Sequence, residues 1–183
     1  MAETGPVDAE HMRTLASHGV RWALAVLEQL CGRPLSGGEP RAVPGPAATD
    51  AAVWEVGTFV GFGGDLQGTV GLLMTAQTHR ALVHALTGVE DPTPEAADSA
   101  LRELGNIIAS QAVSAMANEI GGRVLPGLPQ LADAEPGRRL ASLVGPAHGR
   151  GGEGVRFEAL LHDARSRIRL LLVVAVEPTD DAA

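Results

Sequence analysis

Lysine is absent from this chain: all 14 basic residues are arginine. That gap removes a Walker-type phosphate lysine, a Schiff-base lysine and the lysine of a protein-kinase site. Cysteine is almost absent too. Cys31 stands alone, which leaves no intrachain disulfide and no thiolate zinc cluster, and fits a reducing compartment. The aromatics are Trp22, Trp54, Phe59, Phe62 and Phe157, too few and too scattered for a base-stacking platform. A formal net charge of -8 argues against broad attraction to nucleic acid or an anionic membrane. No uncharged apolar run reaches membrane-spanning length, and "MAETGPVDAEHM" has neither a basic start nor an apolar core of the signal-peptide kind. The expectation is a soluble, cytoplasmic protein.

What is there suits one globular domain: 183 residues, 45% hydrophobic and 20% charged. The expected division is a flexible tail over 1–7, a single domain over 8–178 and a frayed acidic tail over 179–183. Residues 8–31 read as an amphipathic helix, with Asp8 as N-cap and Gly32 past its end. "SGGEPRAVPGPAATD" (36–50) reads as a Pro/Gly/Ala-rich connection. "VWEVGTFVGF" and "LQGTVGLLMT" flank "GGD", a hairpin pattern with glycine where positive φ is needed. "AQTHRALVHALTG" predicts a short helix closed by Gly88. A long helix follows from about Pro94 to Ile120, stopped by Gly121 and Gly122. "RVLPGLPQL" and "RRLASLVG" are candidate short strands, and "VRFEALLH" with "RSRIRLLLVVAVE" a closing hairpin.

The halves echo each other. "LEQLCGRPL" (27–35) and "ANEIGGRVL" (117–125) each end a long helix with Gly-Arg, and a hairpin pattern follows each. The expected fold is α+β: one antiparallel sheet covered by two long helices, an αβ unit used twice about a pseudo-twofold axis.

The long helix raises a question of chemistry. At about 100° per residue, Ser99, Glu103, Asn106 and Ser110 fall on one narrow stripe. Leu101, Leu104, Ile108, Ala112 and Ala115 fall on the opposite side, toward the core, with Glu119 interrupting that side near the helix end. A solvated helix face accounts for such a stripe. Asparagine is nonetheless an odd choice there, because Glu, Gln or Arg forms helix better.

The stretch resembles the signature of the CheC/CheX/FliY phosphatases of bacterial chemotaxis: Asp or Ser, three residues, Glu, two residues, Asn, twenty-two residues, Pro. Here Ser99, Glu103, Asn106 and Pro129 keep that spacing. "ELGNIIASQAVSAM" looks like the family's long helix, and "GGDLQGTVGLLMTAQTHRALVHALTG" like its glycine-rich hairpin and following helix. The likeness runs over most of residues 8–177. Two departures stand out. Ser110-Gln111 occupies the place of a frequent Gly-Asn, which bears on how closely the long helices approach. The first helix lacks a second copy of the motif, since its alignable registers put Arg13 and Ala16, or Thr14 and Ser17, at the Glu and Asn positions. One site per chain matches the CheX-like branch.

The resemblance implies dephosphorylation of a CheY-like response regulator carrying an aspartyl phosphate. Asn106 would orient the attacking water, and Glu103 would pair with the regulator's active-site lysine. Ser99 and Ser110 would flank the regulator contact, and Pro129 would shape a loop. The chain would need no metal or organic cofactor of its own, the Mg²⁺ belonging to the regulator, and a homodimer is expected by resemblance. Two other readings remain open. The same fold could dock a regulator or motor component without hydrolysis, or serve as a structural subunit whose sheet edge pairs with a second copy.

Other residue types yield less. His79 and His84 are five apart, off the spacing that puts two ligands on one helix face, and no HExxH motif occurs; with His11, His18, His148 and His162 they read as surface or partly buried structural histidines. "HGRGGEG" precedes a strand, so it reads as a loop and not a phosphate cradle. No serine-centred nucleophile elbow is present. Trp22 and Trp54 read as core.

Overall fold

Local chemistry sets both ends of the second and third helices and the end of the first. The computed structural model describes residues 9–32, 34–37, 41–43, 54–132, 154–162 and 167–175. Helix α1 spans Ala9–Cys31 and ends at Gly32, whose φ of 65° is left-handed. Two short strands follow, β1 (Ser36–Gly37) and β2 (Arg41–Val43), then the hairpin β3 (Val56–Gly64) and β4 (Gln67–Met74). Helix α2 (Ala76–Thr87) is capped by Thr75, whose Oγ1 accepts from the Thr78 N–H at 3.3 Å, and closed by left-handed Gly88. Helix α3 (Pro94–Ile120) opens on Thr93, which accepts from the Ala96 N–H at 3.3 Å, with Pro94 in the first turn where no donor is needed. Gly121 closes it at φ 63°. Strands β5 (Val124–Ala132), β6 (Gly154–His162) and β7 (Arg167–Ala175) complete the described chain.

The strands form one antiparallel sheet in the order β1-β6-β7-β4-β3-β5, with β2 also on β6. That order is symmetric about its centre. The hairpins β3–β4 and β6–β7 meet through β4 and β7, and each is bordered by the strand following the other half's long helix. The expected repeat is therefore present, with its edge strands exchanged between halves. α2 belongs to the first half alone.

Helices α1 and α3 pack together and cover one face. Val60, Phe62, Val70, Leu72, Met74, Phe157, Ala159 and Ile168 meet Leu15, Leu27, Leu104, Ile108 and Met116 in one core. The opposite face carries a smaller cluster of Trp54, Phe59, Leu73 and Ala132. There the Arg169 guanidinium lies 5.2 Å from the Trp54 ring centre and 3.8 Å from Glu158 Oε2. Because β4 is buried on both faces, "GTVGLLM" reads as a nearly continuous apolar run instead of an alternating one.

Four sequence expectations need correction. Residues 36–50 are not purely connection: Ser36–Gly37 and Arg41–Val43 are strands, induced by pairing with β6 far along the chain. Pro129 lies in a strand and not a loop; it pairs with Val60, beside a bulge where Gly127 and Leu128 stand opposite Gly61. Trp22 is 56% exposed while Trp54 is 5% exposed. The buried arc of α1 centres near Ala23, and Trp22 lies about 100° round from it. Ala115 is half-buried, whereas Gly105, Ala109, Val113 and Met116 join the core, so the buried face of α3 is wider than its leucine pattern implies. Asp8, the tails, His148 and "RRLASLVG" lie outside the described residues.

Candidate functional site

The stripe on α3 is built by burial on its other side. Leu101, Leu104, Gly105, Ile108, Ala109, Ala112, Val113 and Met116 face the sheet and α1, which turns Ser99, Glu103 and Asn106 outward. All three are exposed, and Ser110 is half-buried at the edge of the stripe. Glu103 and Asn106 are one turn apart, the spacing at which helix side chains are neighbours, about 5–6 Å between Cβ atoms. Among the described residues neither side chain has a hydrogen-bond or ion-pair partner. A carboxylate and a carboxamide thus stand together, turned outward from a buried helix. The amide offers an acceptor and donors without charge, and the carboxylate offers an anion for a cationic partner.

The helix carrying them is held by four contacts in and just beyond it. Gly19 of α1 comes close to Ala112, such that a Cβ on Gly19 would sit 3.5 Å from the Ala112 Cβ. His18 Nδ1 lies 3.3 Å from Glu119 Oε2, across the same seam; Glu119 is thus partnered as well as solvent-accessible. Past the helix end, the Arg123 N–H donates to Asp65 Oδ2 at 2.7 Å and the Asp65 N–H donates to the Arg123 carbonyl at 2.9 Å, tying the β3–β4 turn to the start of β5. Gly105 was not singled out in the sequence. It lies between Glu103 and Asn106 and packs directly on Thr58 of β3. A glycine inside a helix was the available signal, because it weakens the helix unless packing requires it.

Pro129 is apart from this stripe, half-buried in β5. An open groove of about 480 Å³ lies over β3 and β5 at Phe62, Gln67, Leu125 and Leu128, and holds none of the predicted residues. The stripe is a ridge, not a cavity, and suits docking against another macromolecule better than enclosure of a small ligand.

Among the described residues no group of three or more His, Cys, Asp or Glu could hold a metal ion, and no helix is long and apolar enough to cross a membrane. His84 Nδ1 lies 3.0 Å from the Val89 carbonyl and His162 Nδ1 3.0 Å from the Ser36 carbonyl, both local structural contacts. His79 on α2 is half-buried, with Nε2 shut away from water and lacking a hydrogen-bond partner among the described residues. Burial lowers its pKa from 6.5; Asp98 opposes that shift and Arg80 adds to it.

A family model described as "Chemotaxis phosphatase CheX" matches residues 56–139, a span that includes Ser99, Glu103, Asn106, Ser110 and Pro129. Among solved structures, a chemotaxis protein CheX from Desulfovibrio desulfuricans is 19% identical, with a TM-score of 0.68 over 88% of this chain and 99% of that one. A putative chemotaxis protein from Desulfovibrio vulgaris Hildenborough is 16% identical, with a TM-score of 0.68 over 88% and 96%. A chain of the CheX–CheY–BeF3–Mg²⁺ complex from Borrelia burgdorferi is 16% identical, with a TM-score of 0.59 over 85% and 94%. At such identities the structural likeness establishes the fold. No curated protein sequence matches the chain.

Proposed function

We propose that this chain, whose residues 56–139 match the chemotaxis phosphatase model and whose fold is that of CheX-like structures, is a phosphatase of that kind acting on the aspartyl phosphate of a CheY-like response regulator. The observation that carries this is the exposed Glu103–Asn106 pair, set outward on a helix whose other side is buried. An aspartyl phosphate is an activated acyl phosphate, and what its hydrolysis lacks is a well-placed water. Asn106 accepts a hydrogen bond from that water through its amide oxygen and holds it in line with phosphorus. It adds no negative charge beside the phosphoryl group. The water oxygen bonds to phosphorus, the bond from phosphorus to the carboxyl oxygen breaks, and inorganic phosphate and the free aspartate are released. Glu103 pairs with the regulator's lysine, a residue type this chain does not contain. Ser99 and Ser110 flank the contact. Mg²⁺ belongs to the regulator, the encounter takes place in the cytoplasm, and the working form is a homodimer.

Phosphate release from CheY-type receiver domains, phosphorylated with acetyl phosphate and Mg²⁺, tests the reading with wild type and Asn106→Ala in parallel. Acceleration by the wild type that disappears in the variant is the expected result. Saturating binding without acceleration for every receiver of the same cell would leave a docking module, with the Glu-Asn pair as its recognition surface.

A further inference from the structure

Gly105 sits in the turn of α3 that presents Glu103 and Asn106, and it is buried. A Cβ added there would stand 2.5 Å from Oγ1 and 3.1 Å from Cγ2 of Thr58. No side chain fits in that space, so α3 rests on β3 through bare backbone. Gly105 lies about 160° around the helix from Glu103. The glycine therefore marks where the helix touches the sheet, opposite Glu103 and about 100° round from Asn106.

Thr58 is an unusual choice for the other side of this contact. It is 2% exposed, and its Oγ1 has no hydrogen-bond partner among the described residues. A buried hydroxyl left unpaired is costly, and a valine of the same shape would avoid the cost. The atom nearest Gly105 is that oxygen and not the methyl. An oxygen is smaller than a methyl group, so this orientation lets the helix settle deeper than valine would allow.

Depth matters because a receiver domain is wider than one helix. A domain of that size measures roughly 30 Å across, against about 10 Å for a helix. A body that wide reaches past α3 onto the helices packed against it, α1 among them. α1 presents exposed Trp22 one turn beyond His18, which contacts α3. How far Asn106 projects beyond α1 then fixes how far the amide reaches toward phosphorus.

We infer that Gly105 and Thr58 are positioning residues: their contact sets the depth of α3 on the sheet and, through it, the reach of Asn106. This rests on the phosphatase reading above. In Gly105→Ala the Thr58 side chain and α3 must separate by about 1 Å to reach ordinary contact. Removing the Thr58 hydroxyl and methyl makes room, since the Thr58 Cβ lies 3.4 Å from the added atom.

The test compares saturated dephosphorylation rate, half-saturating concentration and melting temperature for wild type, Gly105→Ala, Thr58→Val and the double variant Gly105→Ala/Thr58→Ala. The substrate is the acetyl-phosphate-charged receiver that the wild type acts on. Gly105→Ala should lower the saturated rate about tenfold or more while half-saturation moves less than about threefold. The double variant should recover to within about threefold of wild type. Thr58→Val should keep or raise the melting temperature yet run slower, an opposition that a merely structural role does not produce. Should Gly105→Ala not fold, a folded double variant with recovered rate supports the contact, and a folded double variant still about tenfold slow overturns it. A full-rate Gly105→Ala overturns it too. A wild type inert on every receiver is a different failure: the phosphatase reading falls, and this role for the contact falls with it.

Discussion

Asn106 weakens the helix it stands in, because asparagine is a poorer helix former than alanine or glutamate. Exposed and unpartnered within the described chain, it gains nothing locally in return. Asn106→Ala should therefore stabilise the fold by about 0.5 kcal/mol in denaturant titrations. The same change should remove roughly a hundredfold of accelerated hydrolysis with regulator binding kept. Glu103→Ala should weaken binding as well as rate. His79 gives a prediction of another kind. Burial holds its folded-state pKa below 6.5, so the unfolded chain takes up the proton first as pH falls. The stability this histidine contributes is complete above about pH 6.5 and is lost as pH drops through that value toward the folded pKa. In His79→Gln the melting temperature should fall less than in wild type between about pH 7.5 and 5.5. The exposed pair was legible in the sequence, because helical periodicity alone assigns Glu103 and Asn106 to one stripe. The Gly105–Thr58 contact was not, because its partner lies on a strand whose packing no local pattern reports.

Elements were readable where their ends have local chemistry. α3 begins and ends as the sequence predicts because Thr93-Pro94 starts a helix and Gly121 stops one without outside help. Thr93→Ala should cost about 1 kcal/mol in a denaturant titration. β1 and β2 were unreadable for the opposite reason: a two-residue and a three-residue strand have no periodicity of their own and exist through β6. Pro129 misled because proline suggests a loop, while the outermost strand of the described sheet order tolerates a residue with no N–H to donate. The β3–β4 turn depends on a glycine. Gly64 has φ 128°, and a Cβ there would collide with the Arg123 carbonyl. Gly64→Ala should cost about 1–3 kcal/mol and loosen the Asp65–Arg123 clamp, readable as faster amide exchange at Arg123.

At the scale of the molecule, the repeat was visible as an echo of Gly-Arg helix ends, but the exchange of edge strands was not. Exchange is a matter of which strand borders which, and side-chain alternation is the same for either neighbour. It has a measurable consequence. The first half lacks the partners of β3 and β4 on their outer sides, which are β5 and β7 from the second half. Polypeptides 1–90 and 91–183 should show little native ellipticity alone and recover it on mixing. The intact chain should lose far-ultraviolet ellipticity and the near-ultraviolet signal of buried Trp54 in one coincident transition.

The same exchange has a mechanical side. To slide one half past the other, a load would have to part β4 from β7 and at once peel β5 from β3 and β1 and β2 from β6, each of these outer strands with its long helix attached. Such a body resists shear much as two clasped hands do. Pressed against a partner, α3 would behave as an anvil, and the yielding would fall to whatever is pressed upon it.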